Sequence, residues 1–384
     1  MIECNGMPFP ARAQPKAGPF QVGPSNGGLP EYWPTDGWRM ETPDKLGFDP
    51  QKLEQALAFE TENSNTEAIF VVRHGYVAAE RYVGGFTATS RHDSFSMAKS
   101  FTSGLIGIAI AEGKIASTDA KLCEYYPTEW DCSDTNDPRS RITIDHAMNL
   151  TTGLRWQEDW RAGATGTNDV IGASLAGVVN TALARESVAE PGAMKRYSTG
   201  DPALLVGPIE QSTGMTAYQY AKQKLFDVIG IPDVRWGTDG QGRTTVYAGL
   251  QATAAEFAKY GYLLLNKGQW DGQQVIPTDW IERTTTAQMP CSDWNQWLWH
   301  VNLPLRLGTQ PADCVNSGMA FCTPTDVANV PFDGFTAKGI NGQYIMIMPS
   351  VDLVVVRLAS DAAGSQYWDV YARGLLEGIL DAMK

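Results

Sequence analysis

What this sequence of 384 residues lacks argues against several kinds of chemistry. It has four histidines, and none of them shows the spacing of a metal-binding motif such as His-Glu-x-x-His. It also has no Cys-x-x-Cys pair, which argues against a zinc ribbon or a thioredoxin-type redox site. No glycine-rich phosphate-binding loop follows a predicted strand, so no bound nucleotide is expected. Together, these absences predict that the protein uses no metal and no other cofactor.

The sequence is also short of long apolar runs and of positive charge. No stretch of about 18 apolar residues occurs, so no transmembrane helix is expected. The 30 Lys and Arg residues stand against 43 Asp and Glu residues, which gives a net charge of −13. Nucleic acid is therefore not expected as a partner, because phosphate binding needs a basic face. The expected partner is a small molecule, and the sequence does not fix the oligomeric state.

The six cysteines bear on the compartment in which the protein resides. Cys123 and Cys132 flank a polar, aromatic loop, and Cys291, Cys314 and Cys322 lie in one segment rich in Pro and Trp. An even number of cysteines in loops favours disulfides, and therefore a periplasmic or secreted location. The first residues show no basic and apolar signal segment, so a cytoplasmic location with unpaired thiols stays open.

Predicted strands near both ends of the sequence enclose a helical middle. Residues 1–45 are rich in Pro and Gly and predict an extended arm. Strand-like runs lie within 68–82 and 344–358, whereas helical segments prevail over 115–240. This order predicts an α/β (α+β) fold, in which an antiparallel sheet from both ends of the chain carries an inserted all-helical domain.

The predicted domains follow from that order. We expect one α/β domain formed by residues 46–100 and 240–384, and one helical domain formed by residues 101–239. The helical pattern that begins near Met97 contains Gly104 and Gly107. Since glycine weakens a helix, these two positions predict close packing against another element.

One short motif, Ser96-x-x-Lys99, could support nucleophilic catalysis, and it is the sole Ser-x-x-Lys in the sequence. Positions i and i+3 share one helix face, so the lysine can reach the serine if a helix begins near Ser96. A helix N-terminus also offers free N–H groups to an anion. A buried lysine loses its proton more easily and can then act as the base for a serine hydroxyl. Taken alone, however, the motif is more typical of a serine N-cap followed by a solvated lysine.

Three blocks together resemble the serine β-lactamase and penicillin-binding-protein superfamily. Ser96-x-x-Lys99 before an apolar helix resembles its first motif, and Tyr197-Ser198-Thr199 resembles its Tyr-Ser-Asn block. The tract at 337–344, before two strand-like runs, resembles the strand that lines the active site. The resemblance covers roughly residues 45–384 and is closest to class C-like carboxylesterases and 6-aminohexanoate-dimer (nylon oligomer) hydrolases. It implies a two-domain β-lactamase-like fold with the site between the domains.

The resemblance also implies catalytic roles. Ser96 would attack a carbonyl and form an acyl-enzyme, while Lys99 and Tyr197 share the general-base work. We expect the Lys99 cation to lower the pKa of Tyr197 towards the phenolate. The backbone N–H groups of Ser96 and Ile340 would form the oxyanion hole.

Four further residues are predicted to contact the substrate: Trp156, Trp160, Asn341 and Gln343. Asn341 and Gln343 are equally typical of residues that make hydrogen bonds within a hairpin. The two tryptophans are also typical of aromatic side chains packed in a loop.

Two departures from the β-lactamase pattern bear on the substrate. Thr199 stands where β-lactamases carry Asn, and Ala337-Lys338-Gly339 stands where they carry Lys-Thr-Gly. Both changes remove polar contacts to a β-lactam, so the sequence predicts a serine hydrolase of small carboxylic esters or linear amides. The alternatives are a β-lactamase or D-alanyl-D-alanine carboxypeptidase and, from another class, a non-catalytic ligand-binding homologue.

Overall fold

A computed structural model describes residues 30–158, 168–173, 176–285, 300–301, 333–360 and 367–384. The strands are β1 Thr66–Arg73, β2 Tyr76–Tyr82, β3 His92–Asp93, β4 Arg235–Trp236, β5 Leu250–Ala252, β6 Gln269–Trp270, β7 Gln273–Gln274, β8 His300–Val301, β9 Phe335–Gly339, β10 Gln343–Met348 and β11 Leu353–Ala359. The α-helices are α1 Pro50–Asn63, α2 Met97–Ala111, α3 Ile144–Asn149, α4 Asp169–Gly172, α5 Val178–Leu183, α6 Gly200–Ala203, α7 Val206–Thr213, α8 Ala217–Ala221, α9 Ala254–Leu265, α10 Thr278–Thr284 and α11 Tyr367–Asp381.

A six-stranded antiparallel sheet forms the centre of the fold, in the order β2-β1-β11-β10-β9-β8. Strands from the two ends of the chain are neighbours in it, since Ile69 of β1 and Tyr344 of β10 both face Arg357 of β11. The predicted fold class, with an antiparallel sheet built from both ends of the chain, is confirmed. A second, small sheet has the order β3-β5-β4 and leads into α2.

Helices cover both faces of the large sheet. One face contributes Phe70, Ile345 and Val354 to the main apolar core, together with side chains of α2 and α9. The other face packs Ile69, Tyr344 and their neighbours against α1 and α11. Helix α1 begins where the Asp49 side chain accepts the N–H groups of Gln51 and Lys52, with a proline at the first helical position.

Helix α2 is buried almost throughout and lies against both the sheet and α10. A Cβ atom added at Gly104 would lie 2.8 Å from Tyr260 Oη, and one added at Gly107 would lie 2.7 Å from the Trp280 ring. The close packing predicted at these two glycines is confirmed. The absence of a side chain at these two glycines lets α2 pack closely against Tyr260 and Trp280.

Between α2 and β4, the regular elements that the structure describes are all helical, and this segment shares its core with the sheet. Phe70, Phe101 and Tyr220 belong to one continuous cluster of buried residues. A disulfide joins Cys123 and Cys132, a pairing that the sequence left open, whereas the other four cysteines lie outside the described residues. The division at residues 101–239 stays a prediction. In the described ranges, no helix has both the length and the apolar character that crossing a membrane requires.

Candidate active site

Ser96 lies at the N-cap of α2, immediately after a sharp backbone turn. Phe95 has a φ of 44°, in the left-handed region that bulky residues rarely occupy. Asp93 Oδ1 accepts the Phe95 N–H at 2.6 Å, and the Ser94 N–H donates to the Leu250 carbonyl at 2.7 Å. These bonds hold the strained turn, which presents Ser96 at the start of the helix.

The structure brings Ser96, Lys99 and Tyr197 together. Lys99 Nζ donates to Ser96 Oγ at 2.7 Å, and Ser96 Oγ and Tyr197 Oη lie 2.8 Å apart in a hydrogen bond. Lys99 Nζ also donates to the Tyr247 carbonyl at 3.0 Å. The Lys99 side chain is thus fixed by two acceptors rather than solvated, and the reading of the motif as a simple helix cap does not describe this site.

Burial sets the protonation of Lys99. Its side chain is 2% exposed, and loss of hydration lowers its pKa to about 8, against a weaker opposite effect of the Glu158 carboxylate. At pH 7 about a tenth of the amine is therefore uncharged, a much larger share than for a solvated lysine. A neutral amine 2.7 Å from a serine hydroxyl can accept the hydroxyl proton.

The prediction that Lys99 lowers the pKa of Tyr197 is wrong. Burial raises the pKa of the Tyr197 phenol above its ordinary value, and the Glu158 carboxylate raises it further. The physical reason is that the same dry environment disfavours both the phenolate and the ammonium ion. Tyr197 is therefore a neutral hydroxyl that can relay a proton, and Lys99 is the stronger candidate for the base.

A buried carboxylate holds the segment that follows Tyr197. Asp201 Oδ1 accepts the Ser198 hydroxyl at 2.8 Å, and Asp201 Oδ2 accepts the Thr152 N–H at 3.2 Å. Burial raises the pKa of Asp201 to about 6. These bonds tie α6 to the loop after α3 and so fix the base of the Tyr197 side chain.

Glu158 belongs to the site, although the sequence analysis did not select it. Its carboxylate accepts the Thr199 N–H and the Thr199 hydroxyl, each at 2.8 Å, and the Trp156 indole N–H at 2.9 Å. Its charge acts on both Lys99 and Tyr197. No local pattern in the sequence indicates this role, because Glu158 reaches α6 through the fold.

The turn between β9 and β10 lies beside the N-terminus of α2. A Cβ atom at Gly339 would lie only 2.3 Å from the Ser94 carbonyl oxygen, so the end of β9 touches the backbone of the turn that carries Ser96. Ile340 is the next residue, and Asn341 and Gly342 complete the turn with φ angles of 64° and 85°. The predicted oxyanion-hole residues Ser96 and Ile340 thus belong to adjoining backbone segments.

The predicted substrate-contact residues differ in position. Within the described residues, Asn341 Oδ1 is buried and has no hydrogen-bond partner, which suits a group that receives a donor from a ligand. Gln343 is 1% exposed and bonds to the backbone of Asn341 and of Ala359, so its contacts favour a structural role. Trp156 is 2% exposed and packs against Gly200, as a loop aromatic does. Trp160 lies outside the described residues.

Comparisons with known proteins show the family and the fold of this chain. The family model described as Beta-lactamase matches residues 61–377. The 6-aminohexanoate-dimer hydrolase of Paenarthrobacter ureafaciens is 23% identical over 364 residues, which cover 88% of this chain and 81% of that protein.

Solved structures show the same fold. A Bacillus anthracis protein, provisionally assigned as a 6-aminohexanoate-dimer hydrolase, aligns with a TM-score of 0.70 at 20% identity and covers 89% of this chain and 87% of its own. A family VIII carboxylesterase aligns with a TM-score of 0.63 at 14% identity, over 87% of this chain and 97% of that one.

Proposed function

This chain belongs to the beta-lactamase family, and we propose that, as a serine hydrolase of that family, it cleaves small carboxylic esters or linear amides through an acyl-enzyme on Ser96. The observation that supports the proposal most directly is the pair of hydrogen bonds on Ser96 Oγ, one from the buried Lys99 amine and one shared with the half-buried Tyr197 phenol. The serine is thus in contact with both a base and a proton relay before any substrate binds.

Acylation follows from the protonation states of these groups. Ser96 Oγ attacks the carbonyl carbon while neutral Lys99 accepts the hydroxyl proton. The resulting oxyanion is stabilised by the N–H groups of Ser96 and Ile340. The proton then passes from Lys99 through the Tyr197 hydroxyl to the leaving alcohol or amine, and the acyl-enzyme remains. In the second half of the reaction, water attacks the acyl carbon and gives one proton to Lys99. The bond from the acyl carbon to Ser96 Oγ then breaks, the acid leaves, and Lys99 returns the proton to Ser96 Oγ.

The contacts of Thr199 and Lys338 support a substrate other than a β-lactam. The Thr199 hydroxyl and N–H both donate to Glu158, so neither donor is available to a substrate carbonyl. Lys338 Nζ lies 6.0 Å from the centre of the Tyr344 ring, and Tyr344 packs on the sheet face opposite α2. A lysine on that face does not serve as a carboxylate-binding group beside Ser96.

The test combines active-site labelling with a substrate panel. A fluorophosphonate should label Ser96 in the wild-type protein, and Ser96→Ala should abolish both the label and turnover. Ser103→Ala is the matched control, because its hydroxyl is buried on the same helix without a hydrogen-bond partner among the described residues. This variant should keep the label and full activity.

The panel contains short p-nitrophenyl esters, linear amides such as the 6-aminohexanoate dimer, and a chromogenic cephalosporin. We expect turnover of esters or linear amides to exceed that of the cephalosporin. Faster cephalosporin hydrolysis would favour a β-lactamase or carboxypeptidase instead. The absence of both label and turnover would favour a non-catalytic ligand-binding homologue.

The disulfide supports a proposal on location. Cys123 and Cys132 form a bond that persists in oxidising surroundings, so we propose that the protein resides in the periplasm or outside the cell. Cell fractionation combined with thiol alkylation tests this proposal. Recovery of the protein in the cytoplasm with Cys123 and Cys132 alkylated would contradict it.

A further inference from the structure

Two fully buried charges lie behind the β9–β10 turn. The Arg357 side chain of β11 and the Glu60 side chain of α1 are both 0% exposed, and Arg357 Nε donates to Glu60 Oε1 at 2.6 Å. Burying two charges costs hydration energy that their mutual attraction often fails to repay, so such a pair is weak evidence for a stabilising role.

The guanidinium of Arg357 binds the turn directly. Its Nη1 donates to the Gly342 carbonyl at 2.8 Å, and its Nη2 donates to Ser64 Oγ at 3.2 Å. Glu60 is itself fixed, because Oε1 accepts the Thr66 hydroxyl at 2.9 Å and the Ser64 hydroxyl at 3.1 Å. The ion pair thus joins α1, the start of β1 and the β9–β10 turn.

The same turn is held on its other sides. Gly339 abuts the Ser94 carbonyl, and Gln343 Nε2 donates to the Asn341 carbonyl at 3.2 Å. Side chains from the sheet therefore bind the carbonyls of two successive turn residues, while the backbone beside Ser96 limits movement in the opposite direction. Ile340 lies between Gly339 and Asn341 along the chain, so the backbone is held on both sides of its peptide and has little freedom to rotate.

We propose that the Glu60–Arg357 pair positions the Ile340 N–H for stabilisation of the oxyanion. Neither residue contacts the substrate, so both are positioning residues that act through the Gly342 carbonyl. The inference rests on the proposed function, in which Ile340 supplies one of the two oxyanion donors. It explains why a costly buried pair lies at this end of the sheet.

Arg73 supplies a matched control within the same sheet. Its Nη1 donates to the carbonyls of Leu46 and Gly47 at 2.8 and 3.1 Å, so it also ties the backbone with a guanidinium. Arg73 faces Leu353 at the opposite end of β11 from Arg357, far from the β9–β10 turn in strand register. A loss of stability there should leave the oxyanion hole unchanged.

The experiment compares Arg357→Lys with Arg73→Lys in the full-length protein, at a temperature where both are folded by circular dichroism. Arg357→Lys keeps the positive charge but loses the fork that reaches Gly342. We expect it to lower kcat about ten- to hundredfold with little change in KM. This loss is smaller than the roughly 10²–10³-fold loss of kcat that follows removal of a whole oxyanion-hole donor. The acyl carbonyl stretch in the infrared should move to higher frequency. Arg73→Lys should change neither readout.

The outcomes separate this proposal from the proposed function. If wild-type protein forms no acyl-enzyme on Ser96, both proposals fail together. If the wild type acylates and Arg357→Lys keeps its kcat and its carbonyl frequency, only the positioning role is overturned. If Arg357→Lys does not fold, Glu60→Gln replaces it, because that variant keeps the guanidinium and the side-chain shape. The same infrared shift is then expected, and its absence overturns the positioning role.

Discussion

Lys99 and Tyr197 share one desolvated environment, which drives both side chains towards their neutral forms. Burial lowers the pKa of Lys99 to about 8 and raises that of Tyr197. An ammonium–phenolate pair is therefore disfavoured, and above about pH 8 a neutral amine beside a neutral phenol is the prevailing state. The serine proton has a single good acceptor in this arrangement, namely the lysine nitrogen.

We expect the rate of acylation to rise with pH through about 8, because Lys99 is the base and is neutral above its pKa. The measurement is kcat/KM for a p-nitrophenyl ester, corrected for spontaneous hydrolysis, between pH 5 and 10. A rising limb close to the ordinary lysine pKa of about 10.4 would show that burial does not tune this amine.

Glu158→Gln should move that limb to lower pH. The carboxylate raises the pKa of Lys99, so its removal lowers the pKa further, and the amine becomes neutral at a lower pH. The control is Glu186→Gln, which removes an exposed carboxylate that pairs with Arg155 on the surface. An unchanged limb in Glu158→Gln, or an equal shift in the control, would mean that Glu158 does not act on Lys99.

Sequence spacing was sufficient to pair Ser96 with Lys99, because positions i and i+3 share one helix face. Tyr197 was grouped with them only through the resemblance to a known family. The sequence was insufficient for the direction of the Tyr197 pKa shift, which depends on water exclusion by the folded chain. It also missed Glu158, whose contacts with Thr199 cross 41 residues of sequence. Sequence spacing indicates which residues are neighbours on one helix or strand. The exclusion of water, which sets the pKa of Tyr197, depends on the whole folded site.

At the scale of elements, the regular helices and the two hairpins could be predicted, since periodicity marks them directly. The helical pattern predicted to begin near Met97 corresponds to α2, and the strand-like runs within 68–82 and 344–358 correspond to the β1–β2 and β10–β11 hairpins. The small sheet β3-β5-β4 was not foreseen, because strands of two or three residues show no alternation. That sheet nevertheless anchors the strained turn before Ser96.

Two glycines in helices should respond oppositely to the same substitution. Gly107→Ala places a Cβ 2.7 Å from the Trp280 ring, and we expect a loss of about 1–3 kcal/mol from overpacking. A Cβ atom added by Gly374→Ala in α11 has no neighbour within 4 Å among the described residues, and we expect a gain of about 0.5–1 kcal/mol from reduced chain entropy. Urea denaturation followed by circular dichroism measures both changes. Equal signs for the two variants would contradict the packing argument.

At the scale of the whole molecule, the disulfide stabilises a segment that borders the shared core. Replacing Cys123 and Cys132 together by serine should lower the free energy of unfolding by about 2–4 kcal/mol. Activity at low temperature should be nearly unchanged, because neither residue contacts Ser96, Lys99 or Tyr197 among the contacts described. Equilibrium unfolding with and without a reductant provides the measurement. The reductant should lower the free energy of unfolding of the wild type and leave that of the double variant unchanged. An equal loss in both proteins would contradict a stabilising role of this disulfide.

The order of strands has a consequence for how the protein is made. Strand β1 lies between β2 and β11, so one edge of an early hairpin stays unpaired until the last strand leaves the ribosome. Glu60 and Arg357 are separated by 297 residues, and synthesis of that length of chain takes roughly 15–60 s at ordinary rates. During that interval a strand rich in Val and Ile is available to chaperones and to neighbouring nascent chains. A truncated product lacks β11, and with it the central strand that joins the two halves of the sheet.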